Sequence, residues 1–239
     1  MKISAIIPVY NGISHTKKMI QSLELNWPAN IDFDVYIVDN ASTDGTTDYL
    51  KELNKNKYHI INNKINLGYA IANNQAARAT NSDIIILLNN DVILNENWLK
   101  PMIYGIKEEN TVIVGNIHFD INNININHTG IALDSCGWPY HLKYDISNQK
   151  TEYINATATS GACMCINRNW FIDVGGFDIK YLNGYEDLDL CMTANLFNKK
   201  ILISTKSTIR HYGSATEGRF DYEDLNALRF KYKWNKYIN

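Results

Sequence analysis

The chain lacks the usual staples of a small fold. Its four cysteines, Cys136, Cys163, Cys165 and Cys191, form no C-x-x-C pair and match no Cys/His zinc spacing. They read as free thiols of a reducing compartment. There is no excess of charge either: a formal net charge of -2 gives no electrostatic case for nucleic acid. No stretch reaches the length of a transmembrane helix. Met1-Lys2-Ile3-Ser4 runs directly into an apolar, strand-like segment too short for a signal peptide. The expectation is a cytoplasmic protein, at most peripheral at the inner face of the membrane. No internal repeat or linker divides the chain, and the abundance of asparagine reads as a compositional bias.

What is present is an ordinary globular composition, 45% hydrophobic and 20% charged over 239 residues, enough to bury a core without cross-links. Ile3 to Val9 is a buried strand stopped by Pro8-Val9-Tyr10-Asn11-Gly12. Ser14 to Leu25 has helical spacing, and Val35 to Val38 is a second strand ending in Asp39-Asn40. Thr46 to Leu53 is a helix with Asp44 or Thr43 as its cap. His59 to Asn62, Gly68 to Thr80, Ile84 to Leu88 and Trp98 to Glu108 continue as strand, helix, strand and helix. Four strand–helix alternations predict an α/β fold, a mostly parallel Rossmann-like sheet with helices on both faces. Ligands of such sheets bind at the carboxyl ends of the strands. The polar clusters Tyr10-Asn11, Asp39-Asn40 and Asn89-Asn90-Asp91 fall at those ends.

The second half is less regular. Val112 to Phe119 reads as a strand, Asp120 to Asn127 as an Asn-rich turn, and Gly137-Trp138-Pro139-Tyr140 as a loop carrying aromatics. Ile201 to Ser204 and Thr208 to His211 read as two short strands. The expected organisation is one domain over 1–239. A nucleotide-binding half covers about 1–110, an acceptor-binding half with a smaller sheet about 111–220, and a basic, aromatic tail 221–239.

Individual residues carry alternatives. Asp39 is equally a base or ribose contact or a turn cap. Asn89 and Asp91 share one side of an extended chain and suit a hard cation, or cap a turn. Glu186, Asp187 and Asp189 form the densest acidic cluster; they stabilise a helix start, or one carboxylate, packed between Tyr185, Leu188 and Leu190, is partly desolvated and raised toward a useful base. Alone, His211 reads as a structural histidine. The tail from Leu228 to Tyr237 is either a membrane-surface anchor or a helix packed on the domain.

In order along the chain, these segments resemble the inverting glycosyltransferases of family 2, which have the GT-A fold. The likeness runs from Ile3 to Ser214. Ile6-Ile7-Pro8-Val9-Tyr10-Asn11 is similar to the family's opening strand and nucleotide-contacting loop. Val38-Asp39-Asn40-Ala41-Ser42-Thr43-Asp44-Gly45-Thr46 is similar to the second-strand motif. Asn66-Leu67-Gly68 with Asn73-Asn74 resembles the donor-holding N-x-G segment. Leu87-Leu88-Asn89-Asn90-Asp91 stands where the family has its D-x-D metal motif, with Asn in the first position. Ser160-Gly161-Ala162 and Val174-Gly175-Gly176-Phe177-Asp178 resemble the acceptor-side segment. Tyr185-Glu186-Asp187-Leu188-Asp189-Leu190 matches E-D-x-D-L, and His211-Tyr212-Gly213-Ser214 the late His segment.

The resemblance implies transfer of a sugar from a nucleotide-diphosphate sugar, a UDP- or dTDP-sugar first among the candidates, to a glycan or lipid-linked saccharide. It implies Asp187 as catalytic base with Glu186 shaping the acceptor site. Pro8, Tyr10, Asn11, Asp39, Asn66, Gly68, Asn73 and Asn90 are the implied donor-binding residues. Asp91, Asn89 and His211 are implied at a Mn2+ or Mg2+ ion. Trp138, Tyr140, Gly161 and Tyr185 are the expected acceptor contacts. Two rivals remain, a non-catalytic carbohydrate-binding subunit and a nucleotidyltransferase. The second calls for a Gly-rich, basic loop after the first strand, which Pro8-Val9-Tyr10-Asn11-Gly12 is not.

Overall fold

The computed structural model describes residues 1–213 and 221–238, so Ser214 lies outside the described residues. The chain alternates β1 (Ile3–Val9), α1 (Ile13–Asn26), β2 (Phe33–Asp39), α2 (Thr46–Lys51), β3 (Tyr58–Asn62), α3 (Gly68–Ala79) and β4 (Ile84–Leu88). β5 (Val92–Leu94), α4 (Leu99–Gly105), β6 (Thr111–Phe119), β7 (Ile126–His128), β8 (Ile131–Leu133), β9 (Pro139–His141) and β10 (Tyr153–Asn155) follow. The chain then runs through β11 (Cys163–Asn167), α5 (Arg168–Asp173), α6 (Glu186–Leu196), β12 (Lys200–His211) and α7 (Glu223–Ile238).

β1 pairs in parallel with both β2 and β4, and β2 with β3. The sheet continues without a break into the second half, in the order β10-β12-β6-β11-β4-β1-β2-β3. β11 runs antiparallel to β4, and β12 lies parallel to β6. The smaller sheet is a two-stranded ribbon of β8 and β9.

Alternation along the strands sorts the core into two layers. Ile3, Ala5, Ile7, Val35, Ile37, Ile84 and Ile86 pack with Met19, Leu23, Trp98 and Met102 under α1 and α4. Ile6, Val38, Ile85 and Leu87 face the opposite way, against Ala72 and Ala76 of α3, Phe171 of α5, and Leu188 and Leu190 of α6. Strands buried on both faces read as continuous apolar runs, which is why β1 and β4 were legible.

Three sequence expectations change. Pro139 and Tyr140 lie in β9, paired with Leu133 and Ala132, and not in a loop. The two short strands before His211 are one strand, β12, broken in pattern by a register shift between Ser204 and Thr208. The cap of α2 is Gly45, whose φ of 90° no side chain adopts easily. Asp44 instead braces two helix starts, accepting from the amides of Thr46 and Ile13. Burial alone would raise the Asp44 carboxyl, but hydrogen bonds from Thr46, Ile13 and Gly12 outweigh it and hold it below the usual range.

The tail packs as a helix. Phe230 and Trp234 of α7 join the core layer that holds Leu188 and Leu190. Trp234 Nε1 and Lys233 Nζ both donate to Asp189, each at 2.8 Å. One member of the acidic cluster is thereby consumed in tying α6 to α7.

Candidate active site

The strand ends and the start of α6 enclose two compartments. The first is lined by Pro8, Tyr10, Asn66, Tyr69, Asn89, Asn90, Asp91, Gly161, Glu186, Asp187 and His211, among others. The second, of about 650 Å³, is lined by His118, His128, Tyr140, His141, Tyr185, Asp187 and His211, among others. Asp187, His211, Ser160, Asn183 and Gly184 line both, so the compartments meet there.

Strand pairing brings Asp91 and His211 together across 120 residues of chain. β5 leaves the Asn89-Asn90-Asp91 turn and pairs antiparallel with the end of β12, in the register His211↔Val92. The Tyr212 amide donates to the Asp91 carbonyl at 3.1 Å, and His211 Nε2 lies 3.1 Å from Asp91 Oδ1. Asn89 Oδ1, beside them in the first compartment, is buried and has no hydrogen-bond partner. An orphaned amide oxygen, a buried carboxylate and an imidazole form an incomplete donor set for a divalent cation. Among the described residues no group of three or more His, Cys, Asp or Glu could hold a metal ion. The remaining positions would have to come from a ligand or water.

Asp187 sits in the first turn of α6, after Tyr185 in the left-handed region at φ 74°. Its Oδ2 accepts from the Gly161 amide at 2.7 Å and its Oδ1 from the Leu188 amide at 2.8 Å. A carboxylate so held keeps lone pairs for a further proton or donor. Position 161 is tight, because a Cβ there would stand 3.1 Å from Tyr69 Oη and 3.2 Å from Asp187 Cβ. Tyr69 Oη itself donates to the Gly161 carbonyl. Glu186 is buried and accepts from the Gly184 amide at 2.7 Å, fixing the turn that aims α6.

Other expected residues lie behind the cleft. Asp39 is 1% exposed and spends both carboxylate oxygens on its own loop, on the Ser42 amide and the Thr47 hydroxyl. Asn11 accepts from the Thr43 amide and receives Asn90 Nδ2 on its carbonyl, so it links three loops. Asn73 bonds the Tyr69 carbonyl inside α3, and Asn74 clamps Phe177 through both its amide and its carbonyl. Gly68, at φ 82°, opens α3, and its amide donates to Asn66. Trp138 lines neither compartment; the ammonium of Lys231 lies 4.6 Å from its ring centre. The structure therefore does not bring Asp39, Asn11, Asn73, Gly68 or Trp138 into the cleft lining.

A row of histidines was missed. The centroids of His118 and His128 are 4.5 Å apart, and those of His118 and His211 5.9 Å. Burial, and after it the neighbouring imidazoles, push both His118 and His128 well below the usual histidine range, so both are neutral. The signal was the spacing of His118 and His128 around the Asn-rich turn. Read as a hairpin, it pairs the two directly, as β6 and β7 do.

Comparison with known proteins bears on the family and the fold. Residues 4–175 match the family described as "Glycosyl transferase family 2". The chain is 25% identical to a probable N-acetylgalactosaminyltransferase 9 of Caenorhabditis elegans over 73% of its own length and 33% of that protein's. It is 24% identical to the O-antigen biosynthesis protein RfbC of Myxococcus xanthus over 90% of its own length and 18% of that protein's. A crystal structure of GalNAc-T7 with UDP, GalNAc and Mn2+ superposes with a TM-score of 0.79 at 16% identity, covering 100% of this chain and 49% of that one. The chain thus spans between 18% and 49% of these proteins' lengths. Since the matching segment includes β1 to β11 and takes in most of the first compartment, the chain belongs to glycosyl transferase family 2.

Proposed function

We propose that the chain is the catalytic domain of an inverting glycosyltransferase. It would move a sugar from a nucleotide-diphosphate sugar, UDP- or dTDP-linked, to a hydroxyl of a glycan or lipid-linked saccharide. The observation that carries this reading is the position of Asp187 and His211 at the junction of two compartments, one for each substrate.

In this reading the donor lies over Pro8, Tyr10, Asn66 and Asn90, with its diphosphate toward Asp91, and the acceptor enters the second compartment. The acceptor oxygen attacks the anomeric carbon while the bond from that carbon to the diphosphate oxygen breaks on the opposite face. Asp187 takes the acceptor proton. The Gly161 and Leu188 amides hold the carboxylate in place, so little reorientation is needed as the reaction proceeds. Asp91 and His211, with Asn89 Oδ1, would hold Mn2+ or Mg2+, and such an ion would supply positive charge beside the diphosphate. Glu186 shapes the turn and does not act on the proton. Tyr140 and Tyr185 are the proposed stacking faces for the acceptor.

Asp187→Asn should lower nucleotide release in the presence of acceptor by about 10²–10⁴-fold. Nucleotide affinity, measured by calorimetry with Mn2+, should stay within about threefold, well under one tenfold step of 1.4 kcal/mol. Wild-type turnover in this variant would remove Asp187 as the base.

Among the described residues no helix is long and apolar enough to cross a membrane. Peripheral contact through α7 is part of the proposal, because Leu225, Leu228 and Tyr232 are exposed on one face of that helix. Co-sedimentation with anionic vesicles should be lost in Tyr232→Ser with Leu228→Ser, and equal sedimentation would end that part.

A further inference from the structure

Asp187 is held by two loops of the second half, and one residue of the first half touches both. Tyr69 stands near the start of α3, directly after Asn66-Leu67-Gly68. The first amides of a helix have no acceptor within it. The Tyr69 amide donates instead to Asn183 Oδ1 at 3.2 Å, in the turn that leads into α6. The Tyr69 hydroxyl donates to the Gly161 carbonyl at 2.8 Å. These partners are 114 and 92 residues away along the chain.

The two contacts bracket Asp187. Asn183 lies upstream of it, and Gly161 gives its amide to Asp187 Oδ2 at 2.7 Å. A glycine has no side chain to anchor its own peptide, and its backbone turns easily. The hold on Gly161 must therefore come from outside. Its neighbour is tied by the Asn89 amide, which donates to the Ala162 carbonyl at 2.9 Å. At Gly161 itself the Tyr69 hydroxyl holds the carbonyl, while the carboxylate takes the amide. Tyr69 Oη and Asp187 Cβ both come within 3.2 Å of where a Cβ at 161 would stand, so the two side chains close on one residue.

Tyr69 is located firmly enough to do this. Its ring centroid lies 5.8 Å from that of Phe177, which is 2% exposed, and Asn73 Nδ2 donates to its carbonyl. A tyrosine fixed at ring, amide and carbonyl brings its hydroxyl to a set place. The same residue lines the first compartment, where the donor is proposed to lie.

We propose that Tyr69 is a positioning residue for Asp187. Its hydroxyl holds the residue whose amide fixes the carboxylate, and its own amide holds the turn before α6. This rests on the glycosyltransferase reading and adds the residue of the donor half that sets the base. The hydroxyl is the separable part, because a phenylalanine keeps the ring contact with Phe177 and loses the hold on Gly161.

The test uses the full chain labelled with ¹⁵N-glycine. The signal lost in Gly161→Ala identifies Gly161 among the 13 glycines. In Tyr69→Phe the exchange of that amide with solvent should rise about tenfold, the loss of one hydrogen bond. Turnover is read as nucleotide released with Mn2+ from UDP-glucose, UDP-galactose, UDP-N-acetylglucosamine and dTDP-rhamnose, in water alone and with p-nitrophenyl glycosides. For a donor that the wild type uses, Tyr69→Phe should lower kcat about 10–100-fold, the effect of a misplaced base. The donor KM should stay within about threefold. Gly161→Ala should lower kcat as well, and adding Tyr69→Phe to it should cost less than about twofold more, because both act on one peptide. The proposal is overturned if Tyr69→Phe keeps the wild-type kcat, if KM alone changes, if the two variants multiply, or if Gly161 exchange does not move. UDP, GDP and dTDP titrations with Mn2+ separate the two levels. A wild type that binds no nucleotide and turns over no donor sinks the glycosyltransferase reading and this role with it. Wild-type turnover retained in Tyr69→Phe sinks only the role of Tyr69. With nucleotide bound and none of these donors used, Gly161 exchange alone decides.

Discussion

The loops after β1 and β2 and the segment around α6 use their polar groups in opposite ways. In the first region the side chains hold the backbone. Asp39 accepts from Ser42 and Thr47, Asn11 from Thr43, and Asn90 donates to the Asn11 carbonyl. In the second the backbone holds the side chain, with the Gly161 and Leu188 amides fixing Asp187 and the Gly184 amide fixing Glu186. A loop braced by its own side chains has few left for a ligand. A carboxylate braced by amides at a helix start keeps capacity for one. Polar residues in the strand-end loops and at the start of α6 therefore differ in what they leave for a ligand.

The largest expected effect comes from breaking the support of the second region. Trp234 of α7 is 3% exposed and donates to Asp189, which also takes Lys233. Trp234→Ala removes core volume and one of the donors to a buried carboxylate. It should lower unfolding free energy by about 3–5 kcal/mol in urea titrations. A loss below 1 kcal/mol would mean that α7 does not carry α6.

Next comes Asp91→Ala, which removes the anionic member of the Asp91, Asn89 and His211 set. Mn2+-dependent nucleotide affinity should fall by roughly 10–100-fold, while affinity without the cation changes little. Equal losses with and without Mn2+ would detach Asp91 from the ion and leave it a structural partner of His211.

These two regions were also unequally legible. β1, β2 and β4 are apolar runs between turn residues, and burial on both sheet faces leaves that pattern plain. β12 was split in two because Thr205-Lys206-Ser207 falls at a register shift, where the chain slips against β6. β9 was hidden by Pro139 at its first position, where a proline costs no ladder bond. Asp187 and His211 were singled out through ordered motifs. The hydrogen bonds of Asp39 needed coordinates, since nothing local says that Thr47, eight residues on, will occupy its Oδ2.

Acid should separate the regions further. His118 and His128 are held neutral, well below the ordinary histidine value, first by burial and then by each other's neighbours. The unfolded chain protonates these rings below about pH 6.5, and the folded chain resists it. The folded state thus binds fewer protons, so stability is flat above that pH and falls as pH drops toward the folded values. The slope should approach about 1.4 kcal/mol per pH unit for each ring. Urea midpoints across this range should show it, and His128→Asn should reduce it. A flat profile would mean that the second compartment opens to water.

The smallest effect tests the claim about the first region most directly. Thr47→Val keeps the shape of α2 but removes the hydroxyl that donates to Asp39 Oδ2. If Asp39 serves its loop, the cost is one hydrogen bond to a buried carboxylate, about 1–2 kcal/mol of stability. Nucleotide affinity should then stay within about twofold, because neither residue lines the cleft. If Asp39 instead turns outward to a base when nucleotide binds, losing the Thr47 tether would leave affinity equal or tighter, and Asp39→Asn would weaken it by about tenfold or more. Calorimetry on the two variants side by side decides between a loop brace and a base contact. A stability loss in Thr47→Val together with unchanged nucleotide affinity in Asp39→Asn leaves Asp39 behind the wall, with recognition assigned to Pro8, Tyr10, Asn66 and Asn90 in front of it.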